Sequence, residues 1–378
     1  MGQAPAVAAA RESPIRPKRR VLLHGALALV GVALSATLVA TAFFRVGFDG
    51  GLHLTPRFHL GGWIHDLPSH LPWVLGFAAL TASILPLRAL QWRYTLGDRE
   101  VPFSHRYHSV AIGAFVHNAI PGKLGEFMRA WLLARREKFP FVQSLGSVLV
   151  CKLLEFAALL VVVAVGLAGP LGRNTGHLGK AMVIAAPICV GLLGLVFAGA
   201  HFAMPIERYL ERREKLPRLR VLLLNLGEGF GAARRPRHLA MAFLASFGPV
   251  LAAALAYGVA LQALGVPNGI VSGVIVLGAI ALGQLTPGLP IGLGMYYLLS
   301  SWAARALGAS ESQAAALSVL THFATFGTNL LVGLVSLLSQ KMGLKELLRG
   351  KRAVMEASRH VAEAAHAAVP PPVPGATR

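Results

Sequence analysis

Six stretches of this chain are long and apolar enough to cross a lipid bilayer: residues 21–44, 71–90, 142–169, 181–202, 239–264 and 313–339. A hydrocarbon core about 30 Å thick takes roughly 20 helical residues, and only helices or closed barrels satisfy their backbone polar groups there. The first run holds no Asp, Glu, Lys or Arg and follows the basic cluster Arg16, Lys18, Arg19 and Arg20. Ala40-Thr41-Ala42 resembles a signal-peptidase site, but the apolar stretch before it is longer than an ordinary signal core, so it reads as an uncleaved first span.

Composition agrees with a membrane solvent. Only 14% of the 378 residues are charged, where a soluble domain carries about 25%. The 36 Lys and Arg against 16 Asp and Glu leave a formal charge of +20. That surplus alone would fit a nucleic-acid binder, but there is neither a recognisable module nor aromatic interleaving. The two cysteines, Cys151 and Cys189, lie inside apolar runs, which leaves no disulfide framework and no cysteine zinc site.

Two further apolar regions are interrupted. Residues 109–121 and 124–134 flank Pro121-Gly122, and residues 270–286 and 291–307 flank Thr286-Pro287-Gly288-Leu289-Pro290. Proline removes a backbone donor and clashes with the preceding turn, so each region is expected to be a broken helix. Charge decides how they lie. If both return to the side they enter from, residues 1–20, 88–140, 203–238 and 341–378 share one side and hold 30 of the 36 Lys and Arg. If each crosses once, the nine basic residues of 203–238 are exported. The positive-inside rule favours the first arrangement, with both termini cytoplasmic. The expected fold is an all-α integral membrane protein with about six spanning helices plus two re-entrant broken-helix hairpins in inverted-repeat arrangement. Residues 1–20 form a basic cytoplasmic N-terminus, 21–340 the transmembrane domain, and 341–378 a basic, largely disordered cytoplasmic tail.

The two breaks correspond in sequence. The first reads Asn118-Ala119-Ile120-Pro121-Gly122 with Gly125 following; the second reads Gln284-Leu285-Thr286-Pro287-Gly288 with Gly292 and Gly294 following. Paired Gly/Pro-interrupted segments in two halves point to a transporter site near the bilayer midplane. A half-helix starting inside the membrane presents unpaired N–H groups and partial positive charge. Lys123 adds a full charge there, and Gly122 and Gly125 allow close approach, which suits an anion such as a lipid phosphate. Thr286 ahead of Pro287 is placed to cap the second broken helix in the same way.

Charges within spans sharpen this. Glu126 and Arg129 share one helix face, as do Lys152 and Glu155. An unpaired charge at the centre of a span costs about 2.5–3.5 kcal/mol on insertion scales, so Lys152 and Glu155 are expected to face the protein interior. They form either a structural ion pair or part of a headgroup or proton path. Arg129 is expected to snorkel to the cytoplasmic surface with Arg135, Arg136 and Lys138, unless it lines that path. His117 and His322 read as hydrogen-bonded packing residues. The external segment 45–70, with His53, His59, His65 and His70, reads as a wet loop with a short interfacial helix around Trp63, Ile64 and Leu67, and no metal site is assigned. Residues 203–238 read as an amphipathic surface helix against anionic lipid. No phosphate loop, nucleophile elbow, zinc helix or dinucleotide fingerprint is present, so neither an enzyme nor a cofactor is expected.

The stretch Asn118-Ala-Ile-Pro121-Gly122-Lys123-Leu-Gly125-Glu126-Phe-Met-Arg129 is similar to the Asn…Pro-Gly/Ala-x-x-Gly-Glu-x-x-Arg segment of a known family. That family is the transmembrane region of lysylphosphatidylglycerol synthases and the related stand-alone flippase-like proteins. Pro287-Gly288-Leu-Pro290-Ile-Gly292-Leu-Gly294 resembles its second glycine segment, and His322 matches a later histidine. The resemblance covers roughly residues 20–340. It implies translocation of a lipid or lipid-linked molecule between leaflets. With the matched breaks and the charges within spans, it makes Asn118, Pro121, Gly122, Lys123, Gly125, Glu126, Arg129, Lys152, Glu155, Gln284, Thr286, Pro287, Gly288, Gly292, Gly294 and His322 the candidate substrate-binding residues. This chain departs from the pattern twice. It has Lys152-x-x-Glu155 where the family often has Arg-x-x-Asp, and Tyr297 where an acidic residue is common.

Three functions compete on these grounds. The first is a flippase-like transporter of an anionic lipid or lipid-linked molecule in a bacterial-type plasma membrane. The second is a non-transporting partner that anchors an envelope lipid or glycan biosynthesis enzyme by its basic face, and the third is an intramembrane lipid-modifying enzyme.

Overall fold

The computed structural model describes residues 44–47, 53–56, 67–97, 99–120, 124–168, 235–266, 269–284 and 293–343, with most of 346–356 and isolated positions at 37, 40, 191 and 194. Among these, a small antiparallel hairpin pairs β1 (Phe44–Gly47) with β2 (His53–Pro56), Phe44 opposite Pro56 and Gly47 opposite His53. Everything else of regular structure is helical: α1 (Leu67–Thr95), α2 (Phe103–Ala119), α3 (Gly125–Glu137), α4 (Phe141–Ala168), α5 (Pro236–Ala263), α6 (Gly269–Gln284), α7 (Leu293–Ala306) and α8 (Glu311–Ser339).

Four of these helices are long and apolar enough to span a membrane: Pro68–Thr95, Phe141–Gly166, Pro236–Ala263 and Glu311–Ser339. They coincide with four of the six expected spans. The other two, 21–44 and 181–202, lie outside the described residues, as do Trp63, Ile64 and nearly all of 203–238. Large apolar side chains point away from the protein along these helices, among them Leu75, Val165, Leu244, Leu331 and Leu338. In water such a surface would aggregate; against lipid tails it is the expected coat.

The helices form two runs of the same design. The lengths are 29, 17, 13 and 28 residues for α1–α4, and 28, 16, 14 and 29 for α5–α8. Each run is long, short, short, long. The pairings match too: α1 packs on α5, α2 on α8, and its counterpart α6 on α4. The leading helices run antiparallel, because Gly76 faces Val259, Leu87 faces Gly248, and Gln91 hydrogen-bonds Ser246. The two runs therefore begin on helices that point in opposite directions.

Glycine seams let the helices approach. A Cβ on Gly125 would lie 2.5 Å from the Gly113 carbonyl oxygen and 2.6 Å from His117 Cβ, so α2 and α3 touch almost backbone to backbone. Gly273 sits the same way between Ala254 and Gly258 on α5, and Gly333 against Ala111 and Phe115 on α2. Small residues at such crossings are the usual means of packing helices in lipid, where no hydrophobic force drives them together. α8 opens on a capping box: the Gln313 N–H donates to Ser310 Oγ at 3.2 Å, and the Ser310 N–H to Gln313 Oε1 at 2.8 Å. The same glutamine donates Nε2 to the Leu264 carbonyl at 2.6 Å, tying the start of α8 to the end of α5.

One boundary moves. α1 runs to Thr95, beyond the predicted end at residue 90, which puts Arg88 well inside a helix. The start of the 341–378 segment is packed: Leu347 is buried with Ile112, Val116, Met128, Leu132 and Leu337, and Gly350 rests against Trp131 and Met128. Glu346 accepts from Arg135 at 3.1 Å, and Gln340 from Arg136. Apolar side chains at this point of the segment find a groove on α3.

Candidate functional site: a buried charge cluster

Short connections explain why charges converge here. Only residues 96–102 join α1 to α2, and 138–140 join α3 to α4, with Lys138 in the left-handed conformation that ends α3. The last turns of α1, the paired α2 and α3, and the first turns of α4 are thereby brought together. Trp92 donates Nε1 to Ser147 Oγ at 2.9 Å, and Gln91 donates Nε2 to the Cys151 carbonyl at 3.0 Å and to Ser246 Oγ at 2.8 Å. Thr95 Oγ1 lies 3.1 Å from Cys151 Sγ. These bonds fix the spacing of α1, α4 and α5.

On that frame five charges meet. Lys152 Nζ donates to Glu126 Oε1 at 2.8 Å and to Glu155 Oε2 at 3.3 Å. Arg129 Nη1 reaches Glu126 Oε2 at 3.1 Å, and Arg88 Nη2 reaches Glu155 Oε2 at 3.2 Å. Each carboxylate is shared by two cations. The Arg129 guanidinium also stacks 4.3 Å above the ring of Trp92, which is itself fully buried. Three cations against two carboxylates leave the cluster with a surplus positive charge.

Arg129 is only 2% exposed, which overturns the expectation that it snorkels to the surface. The Gly113–Gly125 seam draws its helix inward: a Cβ on Gly113 would lie 2.9 Å from Arg129 Cβ. Among the described residues its Nε and Nη2 have no hydrogen-bond partner, nor have Arg88 Nε and Glu155 Oε1. Nε and Nη2 form one edge of the guanidinium, the edge that grips carboxylate or phosphate with two parallel bonds.

Of the predicted site residues, Glu126, Arg129, Lys152 and Glu155 are brought together, with Gly125 one residue from Glu126 at the start of α3. Asn118 lies at the end of α2 and donates back to the Ala114 carbonyl at 2.8 Å. Pro121, Gly122, Lys123, Thr286, Pro287, Gly288 and Gly292 lie outside the described residues. Gln284 ends α6 and Gly294 lies in the first turn of α7. His322 belongs to the second unit, where its ring lies 5.1 Å from Tyr296, 5.2 Å from Tyr297 and 6.3 Å from Phe326. The sequence reading missed Arg88 and Trp92. The signal for Arg88 was a lone arginine near the end of an apolar run with no helix stop after it.

Comparison with known proteins adds one finding. The family model described as "Lysylphosphatidylglycerol synthase TM region" matches residues 21–333. The chain belongs to that family. No curated protein and no solved structure matches it.

Proposed function

We propose that this member of the lysylphosphatidylglycerol synthase transmembrane-region family is a flippase-like transporter, which moves an anionic lipid or lipid-linked molecule between the leaflets of a bacterial-type plasma membrane. The observation that carries the reading is the surplus positive charge among Arg88, Glu126, Arg129, Lys152 and Glu155, with the Nε–Nη2 edge of the buried Arg129 bonded to no described residue. In a low-dielectric interior an uncompensated cation is costly to keep unless an anion visits it.

The hairpins supply the path. A helix rises 1.5 Å per residue, so the 13 residues of α3 reach about 20 Å and stop short of crossing a core of about 30 Å. We read α2–α3 and α6–α7 as re-entrant pairs opening on opposite faces, with both chain termini cytoplasmic. A headgroup phosphate reaches Arg129 as the first hairpin rocks open, takes its Nε and Nη2 bidentately, and shares Lys152 with Glu126. Rocking of the second hairpin opens the opposite face. The reading needs no catalytic group, and its partner is the lipid itself.

Reconstituted proteoliposomes with a fluorescent anionic phospholipid test this through the rate at which the probe exchanges leaflets. The Arg129→Ala and Lys152→Ala variants are expected to lose at least tenfold in rate. Equal rates for wild type and both variants end the reading.

A further inference from the structure

The helix that carries Glu126 and Arg129, α3, is fastened on two sides. At about 3.6 residues per turn, Glu126, Arg129 and Leu133 fall on one side of it and Met128, Leu132 and Arg135 on the other. The first side is held from within the bundle: Arg129 lies on Trp92, Glu126 holds Lys152, and Ala130, Leu133 and Ala134 pack with Trp92 and Cys151. The second side is held by the segment after α8, whose described residues between 346 and 356 are helical. Leu347, only 2% exposed, packs with Met128 and Leu132. Gly350 lies so near Trp131 that a Cβ there would meet its ring at 2.8 Å. With Leu347 seated, α3 has no room to swing away from α1 and α4.

The two fastenings differ in strength. The outer one has one deep apolar knob, Leu347, and polar bonds only at its rim. Arg135, stacked 5.3 Å over Trp131, donates to Glu346 at 3.1 Å, but their side chains are 55% and 33% exposed. An ion pair so open to solvent adds little. Arg136 donates to Gln340 at the surface as well. The tether is short: α8 ends at Ser339, Lys341 turns the chain back with a φ of 52°, and the Gly343 carbonyl accepts from the Glu346 N–H at 3.0 Å. A segment tied this closely stays at high effective concentration and returns readily to its groove after leaving it. Meanwhile α8 is anchored on α2, where Gly333 meets Ala111 and Phe115. Detachment therefore frees α3 and leaves α8 in place.

We propose that residues 346–350 are a detachable strap that holds the α2–α3 hairpin closed, so that α3 moves and the charge cluster opens only when Leu347 leaves its groove. This rests on the transporter reading and names the regulation of its site. A contact that merely completed the packing would stay shut throughout transport, and locking it would change nothing. A strap has two states, and locking it stops the cycle.

The test uses the full chain in a Cys189→Ser background, with the buried Cys151 as an internal reference for the folded bundle. Leu347→Cys in nanodiscs is exposed to a hydrophilic maleimide, and peptide mass spectrometry reads both cysteines. Leu347→Cys is expected to label while Cys151 stays silent. Adding Glu346→Arg should raise its labelling rate on the order of fivefold, the size of an exposed ion pair, and Arg135→Glu on top of that should bring it back. Exchange of a fluorescent anionic phospholipid is then measured in proteoliposomes with Arg135→Cys and Glu346→Cys joined by a bis-methanethiosulfonate linker. Joining them is expected to slow exchange at least tenfold, and a reductant should restore it. Labelling of Leu347→Cys no faster than that of Cys151, or exchange unchanged by the linker, overturns the strap. If Arg129→Ala still slows exchange in that case, the transporter reading stands. If wild type exchanges lipid no faster than protein-free vesicles, the transporter reading falls, and the labelling alone decides whether the strap detaches.

Discussion

Replacing Glu155 with alanine leaves Arg88, Lys152 and Arg129 facing Glu126 alone, which doubles the net charge of the cluster. Breaking a buried ion pair by removing one partner costs about 3–5 kcal/mol. Glu155 is 10% exposed, but Arg88 and Lys152 are 32% and 33% exposed at their side chains. That partial exposure lowers the expected cost to about 2–3 kcal/mol. The double replacement Arg88→Met, Glu155→Leu removes one charge of each sign and restores the original balance, and apolar substitution of a whole buried pair is often neutral. The two single losses should therefore be strongly non-additive. Cys151 reports the outcome: it is fully buried on α4, so a maleimide dye in detergent labels it only as the bundle opens. In a Cys189→Ser background, Glu155→Ala should lower the midpoint by about 4–12 °C, from a few degrees per kcal/mol, and the double variant should return close to the parent. A double variant as unstable as the single one would show that Arg88 and Glu155 do not compensate each other, and the charge ledger of the cluster would be wrong.

Gly125→Ala should drive α2 and α3 apart, because its Cβ meets a carbonyl oxygen and a Cβ and not a flexible side-chain end; a loss of about 1–3 kcal/mol is expected, read by the same dye assay, and unchanged stability would contradict the seam. Ser310→Ala removes one half of the capping box and should cost about 0.5–2 kcal/mol, whereas Ser310→Asp should largely restore it.

The elements easiest to foresee were those whose cause is local. Runs of apolar residues set the four long helices, and proline with glycine set the breaks between α2 and α3 and between α6 and α7. The i, i+3 spacing put Glu126 with Arg129 and Lys152 with Glu155. The bond from Lys152 to Glu126, which merges these pairs, was not legible, because it depends on how closely α3 approaches α4. The seat of α3 against α2 at Gly113 and Gly125 is hidden in the same way, because its effect appears only once two helices are laid together. The end of α1 was placed too early because hydropathy falls at residue 90 while the helix continues to Thr95; a charged residue followed by Gln91 and Trp92 lowers hydropathy without ending a helix.

The fastening of α3 also bears on how the protein is made. Leu347, Glu346 and Gly350 hold α3 from below, and α8 contributes Leu337 to the same groove. All of these leave the ribosome only after α4 to α7 have been synthesised. The helix that carries Glu126 and Arg129 thus emerges well before these partners. Until they follow, its apolar groove is open. Truncating the chain a few residues past α8 should consequently harm the first unit, although every residue removed is distant from it in sequence.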